Sequence, residues 1–419
     1  MLDIKFIREN KELIQAGAKK KHIDFDVQKL ISVDDSRKTV LAQVEEMRTK
    51  QNEASTAITA ASLEERTRLI ATMKELKEEL QKKEDELKEI MKEWQGLMVQ
   101  VPNIPDMSVP EGESDVDNVE IRVWGNIQKF SFAPKSHYEL MQKLDMADLE
   151  RGTKVSGFRG YFLKNDGALL SFALWQFAMD ELVKEGFSPI IAPSLVRRET
   201  LMGTGYLPQG EEDLYKTQDG EYLAGTAEVA TMGHFMDDTL SKNDLPKKIV
   251  SFSPCFRREA GAHGKDTRGL IRVHEFYKVE QVVLCEASHE ESVKYHEALN
   301  QNAEHIMQKL GIPYHVVANC GGDLGLGQVK KYDIEAWMPS ENKYRETHST
   351  SYFHDFQTRR LNVRYRDTDG KLKFAHSLNG TMMPTPRVLV ALIENYQQPD
   401  GSIAIPKALE PYIKKSVIR

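Results

Sequence analysis

Apolar positions in the first quarter of the chain recur at alternating steps of four and three. From Val33, positions 33, 37, 40, 44, 47, 51, 54 and 58 hold Val, Arg, Val, Val, Met, Gln, Ala and Ile, six of them apolar. A second run, Leu69, Met73, Leu76, Leu80, Lys83, Leu87, Ile90, Trp94, Leu97 and Val101, keeps the spacing with Lys83 as its one charged member. Steps averaging 3.5 residues return side chains to one seam of a helix, the pattern of a coiled coil. Between the runs, "ITAASLEER" offers Ser62 as an N-cap with Glu65 three residues on, a capping box that predicts a new helix start. The pattern predicts an antiparallel helical hairpin over about 28–98. With about 35 residues per helix at about 1.5 Å each, the arm is roughly 50 Å long and projects into solvent. Heptads alone leave open whether such an arm is structural, dimerises or binds a partner.

The heptads stop at "VPNIPDMSVPEGESD", where Pro102, Pro105 and Pro110 forbid a continuing helix. This predicts an N-terminal arm over 1–100, a linker over 101–118 and a second domain over 119–419. In the second domain, strand-like stretches ("YFLKN", "SPIIAPSLV", "KIVSFSPCF", "HEFYKVEQVVLC", "YDIEAWMP", "VRYRD") alternate with helical ones ("LLSFALWQFAMDELVKEG", "PRVLVALIENYQ"). Several strands follow one another through short loops, so the expected class is α+β, an antiparallel sheet flanked by helices.

Composition narrows the function classes. The 419 residues are 40% hydrophobic and 29% charged, with a net charge of -7, which argues against non-specific coating of nucleic acid. Charges scattered through the first twenty residues and the lack of a long apolar run predict no signal peptide, no membrane partner and a cytoplasmic location. Cys255, Cys285 and Cys320 stand far apart with no C-x-x-C pair, so neither disulfides nor a zinc site is expected. Residues 28–98 carry 13 Lys and Arg against 15 Asp and Glu, whereas residues 37–77 carry eight basic residues against six acids. Any RNA contact of the arm is therefore expected in its distal half, with Arg37, Lys38, Arg48, Lys50, Arg66 and Arg68 as candidates.

The densest candidate chemistry is "FRREAGAHGKDTRGLIRVHEF", residues 256–276. It reads as a hairpin with a long, basic, glycine-rich tip. Strand alternation places Arg257 and Glu259 on one face with Arg258 on the other, and Arg272, His274, Phe276, Lys278 and Glu280 together on the returning strand. A guanidinium fork suits phosphate, an aromatic face suits a purine, and a carboxylate accepts hydrogen bonds from an amine. The combination suits a nucleotide with an amino group.

This stretch resembles the second signature motif of class II aminoacyl-tRNA synthetases, specifically the seryl-tRNA synthetases. "NIPDMSVPEGESDVDNVEIRVWG", "HYELMQKLDMADLERGTKVSGFRGYFLKNDGALL", "GTAEV", "GDLGLGQVKKYDIEAWMP", "YRETHSTSYFHDFQTRR" and "LIENYQQPDGSIAIPKALEPYI" are similar to the same family and occur in its order, so the resemblance spans the chain. It implies two steps: L-serine and ATP give seryl-adenylate and pyrophosphate, then the seryl group passes to the 3′-terminal adenosine of tRNA(Ser), with tRNA(Sec) as a second acceptor. It implies that Arg257 holds the α-phosphate, Glu259 meets the adenine amino group, Phe276 stacks on adenine and Arg387 reaches the γ-phosphate. Arg387 would open a helix with Thr385 as its cap and Pro386 at its first position. Glu346 and Ser349 of "RETHS" would hold Mg2+, in keeping with the preference of that ion for few carboxylates plus phosphate oxygens.

By the same resemblance the serine pocket draws on Thr226, Glu228, Arg257, Glu280, Asn379 and Thr381, and "GFSPIIAPSLV" builds a homodimer interface. The chain departs from the family at His348, where a serine is usual, at Arg258 and Glu275, and at Met382, Met383 and Pro384, which are bulky or stiff beside the expected serine site. Two rivals stand beside this reading: a ligase that loads an amino acid onto a carrier protein, and an inactive paralogue that binds RNA or a regulatory partner.

Overall fold

The computed structural model describes residues 2–262 and 264–419. The chain divides into two compact units. One contains Leu2–Lys19 and Ile23–Pro102; the other contains Lys20–His22 and Asn103–Arg419. In the first unit, α1 (Ile4–Glu9) and α2 (Lys11–Lys20) precede two long helices, α3 (Val27–Ala60) and α4 (Leu63–Met98). Asp26 caps α3 by accepting from the Lys29 backbone N–H. Ser62 does sit at the N-cap of α4, but its side chain makes no capping hydrogen bond, so the expected capping box is not formed. The seam is buried at Val40, Val44 and Leu80, with Met47, Leu87 and Ile90 packed against them. Arg37, a seam position, lays its guanidinium 4.8 Å from the centre of the Trp94 ring, so its stem fills the seam as an apolar residue would. Toward the turn the seam thins: Ile70 is 53% exposed and Leu63 87%.

The second unit is organised by an eight-stranded sheet: β1 (Val119–Trp124), β2 (Ser188–Ile191), β3 (Lys247–Phe256), β4 (Glu275–Cys285), β5 (Tyr314–Ala318), β6 (Lys330–Met338), β7 (Lys343–Tyr352) and β8 (His376–Thr385). Their order is β1-β5-β6-β7-β8-β4-β3-β2. Every pairing is antiparallel except the edge pair of β2 with β3. The α+β expectation is met. Three helices supply the core on one face: α5 (Asn165–Lys184), α6 (His289–Lys309) and α7 (Arg387–Asn395). Leu174 and Phe177 of α5, Leu299 and Ile306 of α6 and Val388–Ile393 of α7 join Val279, Val283, Ile334 and Leu378 of the strands in one buried cluster. The opposite face of β4, β7 and β8 is left for the site.

Residues from Asn103 onward pack into this unit rather than spanning open solvent. The Asn103 N–H donates to the Leu326 carbonyl and the Asp106 N–H to the Val329 carbonyl, each at 2.9 Å. The prolines end the helix, and their neighbours form an extended strap.

Candidate functional site

β3 ends at Phe256, so Arg257 and Glu259 lie just beyond it. Glu259 takes a left-handed φ of 55°, and a turn rather than the pleat brings it to the same side as Arg257. On β4 alternation does hold: Phe276, Lys278 and Glu280 face one cavity. His274, expected with them, lies on the other side, its ring edge-on to Phe158 and Tyr215. It precedes the strand, where the pleat no longer governs direction.

Two β-bulges decide what else reaches the cavity. On β7 the register slips so that Glu335 pairs with Glu346 while Ile334 pairs with His348, leaving Thr347 as the extra residue. The slip inverts the parity of the strand. Glu346, Thr347, Ser349 and Ser351 therefore line the cavity, while His348 is 0% exposed. Burial pushes the His348 imidazole down to about 4, which keeps it neutral near pH 7. On β8 the extra residue is Met382, since Val279 pairs with Met383 and Glu280 with Thr381. Asn379, Thr381 and Pro384 line the cavity, while Met382 and Met383 join the hydrophobic core. The two methionines expected to crowd the site are turned away from it.

The cavity has a volume of about 440 Å³, and all eleven candidates from the second unit line it: Thr226, Glu228, Arg257, Glu259, Phe276, Glu280, Glu346, Ser349, Asn379, Thr381 and Arg387. At one end the Arg257 guanidinium lies 5.2 Å from the centre of the Phe276 ring, and Arg272 holds the Glu259 carboxylate at 2.5 Å. Arg387 donates to the Glu346 backbone carbonyl at 3.1 Å and approaches its carboxylate at 3.3 Å. Partial desolvation by the cavity walls opposes ionisation of Glu346, but Arg387, Lys331 and Arg257 outweigh it and hold its carboxyl below its ordinary value. α7 opens differently from expectation: Pro386 is the N-cap, and Arg387 the first helical residue. Thr385 instead ends β8, donating to the Tyr277 carbonyl at 2.9 Å and accepting from Trp175 Nε1 at 2.6 Å.

At the other end the acids are buried. Glu228 accepts from Gln357 Nε2 at 2.6 Å and Tyr206 OH at 2.8 Å; burial still pushes its carboxyl above its ordinary value. Lys278 Nζ lies 2.6 Å from Glu280 Oε2 and donates to Thr226 Oγ1 at 2.9 Å. Thr381 Oγ1 reaches Glu280 at 3.4 Å. Tyr206 and Gln357 are not among the candidates, and Lys278 is placed on the candidate face without a role. Lys278 was within reach of pattern reasoning, since it sits between Phe276 and Glu280 on their face. Tyr206 comes from a loop outside the motifs and Gln357 from a short helix at the end of "YRETHSTSYFHDFQTRR", and only folding brings them to Glu228.

Glu346 and Ser349 supply one carboxylate and one hydroxyl on one wall, and the Glu346 side chain is 49% exposed. That sparse oxygen set fits Mg2+, which keeps most of its coordination for water and phosphate. No group of three or more His, Cys, Asp or Glu forms a metal cage among the described residues.

In the arm, Lys38 pairs with Asp34 at 3.0 Å, Arg48 with Glu84 at 2.7 Å and Lys50 with Glu46 at 2.7 Å. Arg37 is tied to Asp34 at 2.8 Å as well as to Trp94. Arg66 and Arg68 are exposed on the first turns of α4. No helix among the described residues is long and apolar enough to cross a membrane.

An antiparallel sheet with an Arg–Glu–Phe hairpin and an arginine opening its last core helix is the architecture of a class II aminoacyl-tRNA synthetase. Residues 215–396 match the tRNA synthetase class II core domain (G, H, P, S and T). Residues 1–105 match the seryl-tRNA synthetase N-terminal domain. A serine–tRNA ligase of Deinococcus radiodurans is 47% identical over 99% of this chain and 97% of its own. A crystal structure of a Pyrococcus horikoshii seryl-tRNA synthetase complexed with ATP superposes with a TM-score of 0.90 at 39% identity, covering 100% of this chain and 99% of that one. A cytoplasmic serine–tRNA ligase of Naegleria fowleri in complex with AMP gives 0.87 at 33%, with the same coverage. The chain belongs to the seryl-tRNA synthetase family and is an aminoacyl-tRNA ligase.

Proposed function

We propose that this cavity activates L-serine with ATP and passes the seryl group to tRNA(Ser), and that its residues divide the work as follows. In the first step a serine carboxylate oxygen attacks the α-phosphorus, forming the acyl phosphate bond as the bond to pyrophosphate breaks. Arg257 holds the α-phosphate oxygens, where charge concentrates, and Arg387 holds the γ-phosphate. Phe276 stacks on adenine while Glu259 accepts from its amino group. Glu346 and Ser349 would hold Mg2+, which would supply positive charge to offset the negative charge of the phosphate oxygens. In the second step the hydroxyl of the terminal tRNA adenosine attacks the seryl carbonyl, and AMP leaves. Preorganised charge, with no protein nucleophile, is enough to accelerate displacement at phosphorus.

Glu280 and Glu228 face the substrate ammonium, and Lys278 keeps Glu280 paired until it arrives. Thr226, Asn379 and Thr381 complete the polar wall around the serine hydroxyl. A wall that pairs a hydroxyl disfavours alanine by about 10⁴. The arm engages the tRNA, with Arg66, Arg68 and the exposed Lys38, Arg48 and Lys50 as contacts. Two copies associate through α5 and the β2 edge: Phe172 is 64% exposed and Ile191 83%, and β2 leaves one edge unpaired. The enzyme works in the cytoplasm, where ATP and tRNA meet.

The observation that carries this reading is the convergence of nucleotide and amino-acid ligands in one cavity. Its test is amino-acid-dependent ATP–pyrophosphate exchange with serine, alanine, threonine and glycine. Exchange is expected with serine alone and should fall about 10³-fold in Arg257→Ala. Absence of exchange with all four would overturn it.

A further inference from the structure

Between β5 and β6 the loop Gly325–Gln328 forms part of the cavity wall without belonging to any regular element. Within the loop the Gln328 N–H donates to the Gly325 carbonyl at 3.2 Å, and the other carbonyls draw their partners from elsewhere. Lys21 Nζ donates to the carbonyls of Gly325 at 3.1 Å, Leu326 at 3.0 Å and Gln328 at 2.5 Å. Asn103 supplies the rest: its backbone N–H also reaches Leu326 at 2.9 Å, and its Nδ2 reaches the Gly327 carbonyl at 3.0 Å and the Phe353 carbonyl at 2.8 Å. All four loop carbonyls are satisfied by residues about 300 and 220 positions away.

Both anchors are buried, Lys21 at 3% exposure and Asn103 at 4%. Among the described residues no carboxylate pairs with Lys21; three carbonyl oxygens meet its three N–H bonds instead. Burying an ammonium for packing alone is costly, so its position needs a reason. The loop supplies one. Gln328 Nε2 donates to Ser351 Oγ at 2.8 Å, and Ser351 is the strand partner of Asn379, a residue of the serine pocket. A side chain at Gly327 would strike the Phe356 ring at 2.6 Å, so the loop lies tight against its support.

We infer that Lys21 and Asn103 are positioning residues of the aminoacyl end of the cavity: together they hold the 325–328 loop, and through it the wall beside Asn379, in the geometry that receives the amino acid. The inference rests on the reading of that end as the serine pocket. Neither anchor touches the nucleotide end, which Glu259, Arg272, Phe276 and Arg387 build.

The test uses the full-length enzyme with Lys21→Met and Asn103→Ala, each checked for a cooperative thermal transition. In serine-dependent exchange the KM for serine should rise about tenfold or more while the KM for ATP stays within about threefold, since small displacements of a positioning shell act on the substrate it positions. Hydrogen exchange supplies a readout independent of activity: the amides of Gly325, Gln328 and Val329 should exchange at least about tenfold faster, with β7 unchanged. A serine KM within about twofold of wild type in folded protein, or equal losses for serine and ATP, overturns the inference. If Lys21→Met does not fold, Asn103→Ala decides by the same limits. If the wild type itself shows no serine exchange, the functional reading fails instead, and unchanged amide exchange in the variants still overturns the anchoring.

Discussion

Arg257, Glu259 and Phe276 were legible because their chemistry is concentrated in one short stretch and points to a nucleotide. Glu346 and Ser349 were legible only through family resemblance, because their shared wall depends on a bulge at Thr347 that no period-two reading contains; Asn379 and Thr381 alternate ordinarily ahead of the bulge at Met382, but nothing in their local pattern marks them as a site. The same bulge at Met382 explains why the methionines are harmless. Both lie in the core, so Met382→Leu and Met383→Leu, which conserve volume, should each cost less than about 1.5 kcal/mol. Neither should alter the ratio of serine to threonine activation, which exchange assays on the two variants would check. A shift in that ratio would mean that the methionines touch the substrate after all.

At the scale of elements, the arm was readable from periodicity and the sheet from strand-like stretches. β8 and α6 were not. "HSLNGTMMPT" lacks alternation because both of its faces are used, and the α6 segment "HEESVKYHEALNQNAEHIMQK" looks too polar to cover a sheet. Its burial is achieved by pairing polar groups: Asn300 donates to Glu304 at 2.8 Å, and His296 to the Thr350 carbonyl at 3.0 Å. The arm is folded by its own seam, so deletion of residues 35–90 should leave serine-dependent exchange within about threefold while aminoacylation of tRNA(Ser) falls by at least about 10², the loss expected when a binding module is removed. Full charging by the truncated enzyme would remove the arm from tRNA recognition. The exposed apolar face of α5 calls for a separate check: Phe172→Glu with Ile191→Glu should shift the sedimenting species from dimer to monomer. An unchanged mass would place the interface elsewhere.

At the scale of the whole molecule, stability has a predictable acid limb. His296 is 1% exposed and packed against Tyr332 and Tyr352, and burial lowers its pKa to about 4. The unfolded chain titrates this group near 6.5. Between those values the unfolded state binds the extra proton, so the contribution is complete above about pH 6.5 and is lost as pH falls toward 4. Going from pH 7 to pH 5 should cost about 2 kcal/mol from this one site. Urea unfolding of the wild type and of His296→Gln at both pH values would show it: the variant is less stable at pH 7 but loses correspondingly less on acidification. Equal losses in the two proteins would contradict a neutral buried imidazole. By itself the sequence determined the helical hairpin, the α+β class and the concentration of Arg257, Glu259 and Phe276 in one basic stretch, because each is written in local spacing or in one contiguous motif. Only the tertiary structure decided that β-bulges turn Glu346 and Ser349 inward and the methionines outward, that Tyr206 and Gln357 meet at Glu228, and that Lys21 and Asn103 reach one loop. Those outcomes depend on register and on contacts between distant residues, where a slip of a single position sends a side chain to the other face.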